Sequence, residues 1–260
     1  MNEDQLKSIA KEIRQDIFHM ISNKGGGHYG GSLSSVEILV SLYHSAMLPN
    51  DRFILSKAHA GAALYSVLAS KKIIDKNLLK TYCQEGSVLG VHPESDLLPQ
   101  IEFSSGSLGH GLSFSIGLAL GFRKLEKPNN VYCLIGDGES QEGSVWEAAL
   151  FASHHKLSNI IAITDYNKKQ ASGLVDDILG LEILAEKWIA FGWNVLEVDG
   201  HSFKELCSSI SFANKNKDKP TMIIANTVKG KGVTFLEDSE ACHHTKLSEK
   251  QNNIALKELL

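Results

Sequence analysis

The stretch VYCLIGDGESQEGSVWEAALFASHHKLSNIIAITDYNKKQ, residues 131–170, decides the fold. It opens on a run of apolar and β-branched residues, 131–135, that breaks at Gly136-Asp137-Gly138. This pattern predicts a buried strand running into a glycine turn. A helix is expected over 145–156, and a second apolar run, 159–164, ends at Asp165-Tyr166-Asn167. Two parallel strands joined by a crossover helix put Asp137 and Asn167 at the same edge of the sheet.

Ligands of open α/β sheets sit at the carboxyl ends of strands. A carboxylate and an amide oxygen converging there, beside glycines that let backbone approach closely, suit Mg²⁺ holding a diphosphate. Gly-Asp-Gly alone is also an ordinary strand-end turn, so the surrounding chain has to carry the argument.

Toward the N-terminus, residues 3–22 bear Leu6, Ile9, Ala10, Ile13, Ile17, Met20 and Ile21 at helical spacing, which predicts a long amphipathic opening helix. The glycine-rich run 25–31, which holds His28 and Tyr29, ends it, and Ser34 with Glu37 has capping-box spacing for the next helix. The run is not a phosphate loop, because no strong strand precedes it and the Lys-Ser/Thr of such a loop is absent. A short strand over 52–55 leads into Ser56-Lys57-Ala58-His59-Ala60 and a helix of small residues, so His59 falls in a first helical turn facing a strand edge. A turn at Gly90-Val91-His92-Pro93-Glu94 follows. Next, SSGSLGHG (104–111) precedes a helix whose Gly111, Ser113, Ser115, Gly117, Ala119 and Gly121 permit close packing or backbone approach to a ligand.

Beyond the central stretch, helices near 179–191 and 203–213 alternate with strands near 193–198 and 221–226. The alternation predicts an α/β fold with a doubly wound, mostly parallel sheet flanked by helices. Residues 227–232, TVKGKG, form a strand-end glycine loop bearing cations, suited to a second diphosphate contact, and a closing helix is expected over 248–260. With no internal repeat, low-complexity segment or long linker, a single domain over 1–260 is expected.

Composition removes several classes of function. At 260 residues, 43% apolar and 22% charged, the chain is long enough to bury a substantial core. A net charge of −4 with dispersed lysines and arginines gives no field for nucleic acid or an anionic membrane surface. The start of the chain lacks the pattern of a secretory signal, and no apolar run approaches membrane-spanning length. Cys83, Cys133, Cys207 and Cys242 lie far apart without CxxC spacing, which fits a reduced cytoplasmic compartment and argues against zinc.

The motifs GHYGGSLS (27–34), SKAHAGAALY (56–65), VHPE (91–94), GSLGHGL (106–112), GDGESQEGSVWEA (136–148), DYNKKQ (165–170) and VKGKG (228–232) occur in one order across nearly the whole chain. Together they resemble the N-terminal, thiamine diphosphate-binding part of the transketolase family, particularly the N-terminal subunits of split transketolases. The resemblance implies a Mg²⁺ site made of Asp137, Asn167 and the Lys169 carbonyl, with Gly138 approaching the diphosphate through its backbone. It implies that Gly106, Ser107 and Leu108 lie against the cofactor's aminopyrimidine and that Lys229 neutralises a diphosphate oxygen. His28, His59, His92 and His243 match histidines that line a funnel around the thiazolium and the hydroxyls of a sugar, His59 and His243 also touching the cofactor. Such a set suits a ketose that is deprotonated at a hydroxyl as its carbon–carbon bond breaks. Glu142 and Glu147 match a glutamate chain linking active sites across the family's subunit interface, although Ser144 with Glu147 also has capping-box spacing for the helix at 145. Tyr29, Ala58, His110 and His244 depart from the family's usual Pro, Gly, Gln and Gly, and Tyr29 and His110 are expected to crowd or repolarise the cofactor region.

In this family a second domain supplies the glutamate that activates the aminopyrimidine, and no second α/β domain follows in these 260 residues. The chain is therefore expected to be half of an enzyme. A separate C-terminal subunit would complete it, and a homodimeric pairing of this domain would give a heterotetramer acting on a sugar or sugar phosphate. Two alternatives share parts of the pattern: the α subunit of a 2-oxoacid dehydrogenase, which also has GDG and Asn, and a non-catalytic scaffold that has kept the fold. The histidine motifs argue against the first, and the intact Asp137 and Asn167 against the second.

Overall fold

Apolar, β-branched runs become strands wherever both of their faces can be covered. The computed structural model describes residues 1–237, 239 and 242–259. Its strands in chain order are β1 (Arg52–Leu55), β2 (Val131–Gly136), β3 (Ile160–Tyr166), β4 (Lys169–Gln170), β5 (Gly173–Leu174), β6 (Asn194–Asp199) and β7 (Thr221–Asn226). Five of them form one sheet in the order β1-β2-β3-β7-β6, every neighbouring pair parallel, while β4 and β5 make a small antiparallel hairpin. The predicted doubly wound parallel sheet is the observed fold.

Helices cover both faces. In chain order they are α1 (Glu3–Lys24), α2 (Tyr29–Ser34), α3 (Val36–Ser41), α4 (Gly61–Ser70), α5 (His110–Lys124), α6 (Gly143–His154), α7 (Val175–Leu179), α8 (Leu184–Ala190), α9 (Phe203–Lys215), α10 (Thr234–Glu237) and α11 (Glu249–Leu259). Tyr132 and Leu134 of β2 enter the core built with α1, α3, α4 and α9, whereas Cys133 and Ile135 enter the core built with α5, α6 and α8. Burial on two faces is why β2 reads as an unbroken apolar run rather than as an alternation. Fully burying one such side chain stabilises the fold by about 1.5–3 kcal/mol.

Local signals set the ends of α1. Asn2 and Gln5 form a reciprocal capping box at its start, and Gly25 ends it in the left-handed region at φ +90°. Other local expectations give way to tertiary contacts. The helix expected near 179–191 breaks into α7 and α8, with Gly180 extended and Ile183 left-handed between them. Neither of the two predicted capping boxes, Ser34 with Glu37 and Ser144 with Glu147, forms. Ser34 donates to Asp165 and Glu37 pairs with Arg14, while Ser144 lies inside α6 and donates to the Gly109 carbonyl at 3.0 Å. In each case a partner from a distant segment outcompetes the local cap. The closing helix starts at Glu249, and Leu260, its expected last residue, lies outside the described residues. All four cysteines are free thiols, and among the described residues no helix is long and apolar enough to cross a membrane.

Register decides what meets at the carboxyl edge. Gly136 lies opposite Asp165, and Asp165 opposite Ala225. The residues that follow β2, β3 and β7 therefore emerge level with one another, at the point where chain order along the sheet reverses between β3 and β7. Such a reversal leaves a crevice beyond the strand ends.

Candidate functional site

A cavity of about 310 Å³ fills that crevice. Four strands each send one polar residue into it just past their ends: Lys57 from β1, Asp137 from β2, Asn167 from β3 and Lys229 from β7. The glycine-rich segment after α1 closes another side. Gly26, at φ +128°, lets the chain lie against the 242–246 segment, where a Cβ would come within 2.7 Å of the Thr245 carbonyl oxygen. Gly27 and Thr245 then exchange two backbone hydrogen bonds, of 2.9 and 3.0 Å, which brings His28 beside His243.

Beneath the cavity lies a fully buried ionic layer. The Lys57 ammonium pairs with Asp165 and also donates to the Gly31 carbonyl and Ser35 Oγ, each at 3.1 Å. Asp165 accepts from the hydroxyls of Ser34, Ser35 and Thr227 as well. Burial would push the Asp165 carboxyl up, but the Lys57 charge together with the hydrogen bonds from Lys57, Ser34 and Thr227 holds the group below the usual carboxylate range.

Asp137 is buried and lacks such a cation. Its oxygens accept the backbone amides of Gly138 at 2.7 Å and Lys168 at 2.5 Å. Burial and the neighbouring Asp165 nonetheless push its pKa up to about 6, a strain that a bound cation would relieve. Asn167 Oδ1 accepts the Lys169 amide at 3.2 Å. The Lys169 carbonyl takes the Lys229 ammonium at 2.7 Å, so a positive charge already stands against that oxygen. Burial lowers the Lys229 pKa to about 8.

Above this floor the histidines gather. His28 has its ring centroid 5.7 Å from His59, 6.4 Å from His92, 5.2 Å from His243 and 4.8 Å from His244. Burial and mutual repulsion lower His28 to about 3, and burial with the nearby Lys229 lowers His243 to about 4. Burial also lowers His59 and His92. His28, His59, His92 and His243 are therefore neutral near pH 7, and the lone pair on His243 Nδ1 receives the Lys229 ammonium at 3.2 Å. His28 Nδ1 and Gln170 Nε2 line the cavity and are buried without a hydrogen-bond partner. Orphaned polar atoms of this kind are costly, and a polar ligand would satisfy them.

Most of the residues expected from sequence meet here. His28, His59, His92, His243, Asp137, Asn167, Lys169, Lys229, Gly138, Gly106, Leu108 and Glu142 all line the cavity. Gly138 packs against the Gln170 side chain, where an added Cβ would lie 2.9 Å from Oε1. Ser107 is exposed and does not line the cavity, and Glu147 is exposed on α6. Two departures act differently from the expectation. Tyr29 is buried with its ring 5.4 Å from Phe18, in the core rather than against the cavity. His110 is exposed at the first residue of α5, outside the lining.

Sequence reading missed Lys57, Asp165 and Glu139. Glu139 accepts the amides of Gly109 and Gly136, at 2.8 and 3.0 Å, and the Ser56 hydroxyl, so it ties the 106–109 loop to the sheet edge. Gly109, at φ +84°, makes that loop possible, because a Cβ would lie 2.5 Å from Ser144 Oγ. The available signal was the position of Lys57 and Asp165 at strand ends, inside motifs where the adjacent histidine and asparagine drew attention.

Comparison with known proteins agrees with this geometry. Residues 5–259 match the family described as transketolase, thiamine diphosphate binding domain. The chain is 43% identical to the 6-deoxy-6-sulfo-D-fructose transketolase subunit SqwG of Clostridium sp. (strain MSTE9), with 100% of this chain and 98% of that one covered. It is 39% identical to an apulose-4-phosphate transketolase subunit from Actinobacillus succinogenes, with 100% and 97% covered. Among solved structures, the transketolase of Campylobacter jejuni superposes with a TM-score of 0.91 at 32% identity, and there this chain spans 43% of the longer one. The chain belongs to the transketolase family, as a thiamine diphosphate-binding, N-terminal-type enzyme subunit.

Proposed function

We propose that this subunit holds thiamine diphosphate through Mg²⁺ and, with a separate C-terminal subunit, transfers a two-carbon ketol unit from a ketose to an aldose. The observation that carries the reading is the convergence, in one cavity, of Asp137, Asn167, the Lys169 carbonyl and Lys229 with four neutral histidines. Asp137, Asn167 and the Lys169 carbonyl form an all-oxygen donor set suited to Mg²⁺. Lys229, which rests on that carbonyl, would turn to a diphosphate oxygen, and Gly138 would offer its backbone.

Thiamine diphosphate supplies the electron sink for breaking a ketose carbon–carbon bond. The chain's own part is to orient the sugar and move protons at its hydroxyls. His28, His59 and His92 are uncharged, so each can accept a hydroxyl hydrogen bond and take its proton as the bond breaks, and His243 can do so once Lys229 leaves its Nδ1 for the diphosphate. Gly106, Ser107 and Leu108 form the loop for the aminopyrimidine, and exposed Glu142 on the cavity rim is the residue for a contact with a neighbouring subunit. A homodimeric pairing of this domain, joined by two C-terminal partner subunits into a heterotetramer, completes the proposal. This chain spans under half of the C. jejuni transketolase while covering nearly all of the two bacterial subunits. Those relatives are named for ketoses bearing a sulfo or a phosphate group. A donor with an anionic far end is accordingly the substrate class to screen first.

The test is ketol transfer by the reconstituted pair. We expect activity that needs both subunits, thiamine diphosphate and Mg²⁺, and a loss of at least about a hundredfold with Asp137→Ala. Unchanged activity in that variant would favour a scaffold, and activity of this chain alone would remove the need for a partner.

A further inference from the structure

Lys229 reaches the cavity on the loop 227–232, which leaves β7 and makes no ladder of its own. The Gly230 amide donates to the Gly30 carbonyl at 3.1 Å, fixing the middle of the loop. Its two flanks are fixed from the other side, by one carboxylate acting through two side chains. Glu37, in the first turn of α3, accepts from Arg14 Nη1 and Nη2 at 2.8 Å each and from His201 Nδ1 at 2.9 Å. Arg14, on α1, spends its Nε on the Lys231 carbonyl at 3.1 Å. His201, in the turn after β6, accepts the Val228 amide on Nε2 at 2.9 Å. Because Nε2 accepts, Nδ1 is the atom that bears the proton given to Glu37, so a neutral ring in one tautomer spans carboxylate and amide.

The three side chains are 9–14% exposed. They come from α1, α3 and the β6 turn, none of which lines the cavity through these residues. Lys229 itself, between the two anchored positions, meets the Lys169 carbonyl at 2.7 Å and His243 Nδ1 at 3.2 Å. Loops left free pay an ordering cost when a ligand arrives, and prior anchoring removes part of it.

We propose that Glu37, Arg14 and His201 are positioning residues that form a latch: they hold positions 228 and 231, aim the Lys229 ammonium into the cavity, and so set the affinity for a diphosphate they never touch. The identity of the ligand rests on the cofactor reading above, whereas the holding of the loop does not.

Hydrogen–deuterium exchange on the full chain without ligand reads the latch directly. In His201→Ala the amides of 228–231 should exchange about tenfold faster, the size expected for one lost hydrogen bond, with α1 and β7 unchanged. His201→Gln, whose side-chain oxygen can accept the Val228 amide, should restore most of the protection. Glu37→Gln, which keeps the side-chain volume, tests the same latch by a second route and should speed exchange at 228–231 more than its lower global stability speeds it elsewhere. In the chain assembled with its C-terminal partner, calorimetric titration of thiamine diphosphate with Mg²⁺ should show about tenfold weaker binding for His201→Ala and less than about threefold for His201→Gln. Uniformly faster exchange over the whole chain, or a loosened loop with unchanged affinity, would overturn the proposal. Failure of the unsubstituted assembly to bind would count against the cofactor reading, and the exchange comparison would still decide the latch.

Discussion

Two polar layers lie one above the other at the carboxyl edge of the sheet, and they are built in opposite ways. In the lower one, Lys57, Asp165, Ser34, Ser35 and Thr227 satisfy each other, and Lys57 and Asp165 are paired at essentially no exposure. In the upper one, Asp137 carries a raised pKa, His28 and Gln170 have orphaned nitrogens, and the histidines repel one another's protons. Buried polar groups are normally matched, so the mismatch marks the layer that is completed by a ligand. The lower layer belongs to the fold and the upper layer to the chemistry.

That contrast breaks most easily at Lys57. Lys57→Met leaves Asp165 as a buried carboxylate with no cation, and should destabilise the chain by about 3–5 kcal/mol in chemical denaturation. A variant as stable as the parent would erase the distinction between the layers.

Glu37 extends the rule of the matched layer. Burial would raise its pKa, but His201 and Arg14 together bring it down to about 2. A carboxylate depressed in the fold adds stability that is complete above its unfolded pKa near 4.5 and is lost as the pH falls toward 2. The contribution is on the order of 3 kcal/mol. Glu37→Gln should therefore flatten the acid limb of a stability–pH curve, and an unchanged limb would show that the pair is not matched as described.

Asp137 should respond with the opposite sign. Its folded pKa is raised to about 6 from 3.8, so its cost is absent below the lower value and fully present above the higher one. In EDTA the parent should lose on the order of 2 kcal/mol of stability as the pH rises from about 4 to 7.5, a fall that Asp137→Asn lacks, and the variant should show none of the rise in Tm expected from thiamine diphosphate with Mg²⁺ in the assembled enzyme. A destabilised variant that still binds would move Asp137 into the lower layer.

The smallest effect is at His28. Its pKa falls to about 3, so below the unfolded value near 6.5 the unfolded chain takes up a proton that the folded one refuses, and stability drops as the pH falls. Allowing for its partial exposure, His28→Asn should recover about 1 kcal/mol at pH 5 and nothing at pH 8. Equal effects at both values would mean that the ring acts by packing alone.

The upper layer was the legible one. Asp137, His28 and Lys229 each sit beside a glycine, Asn167 follows an apolar run, and parallel pairing of the two runs brings Asp137 and Asn167 to one edge. The motif resemblance added His28, His59, His92 and His243. The lower layer was hidden because its partners are distant in sequence, Ser34 and Lys57 lying over a hundred residues from Asp165 and Thr227 lying 62 from it, and no spacing rule links them. The same long-range pairing defeated the local rules: Ser34 and Ser144 carried capping spacing, yet Asp165 and the Gly109 carbonyl claimed their hydroxyls. Tyr29 looked like an intruder on the cofactor because it stands where the resembled family usually has Pro, whereas its ring packs on Phe18.

The most direct test of the central claim is calorimetric titration of thiamine diphosphate, with and without Mg²⁺, into this chain mixed with the proposed C-terminal subunit, in parent and Asp137→Asn forms. The account predicts saturable, Mg²⁺-dependent binding to the parent mixture that Asp137→Asn abolishes. Absence of binding to a folded, assembled parent, or equal binding by the variant, would contradict it.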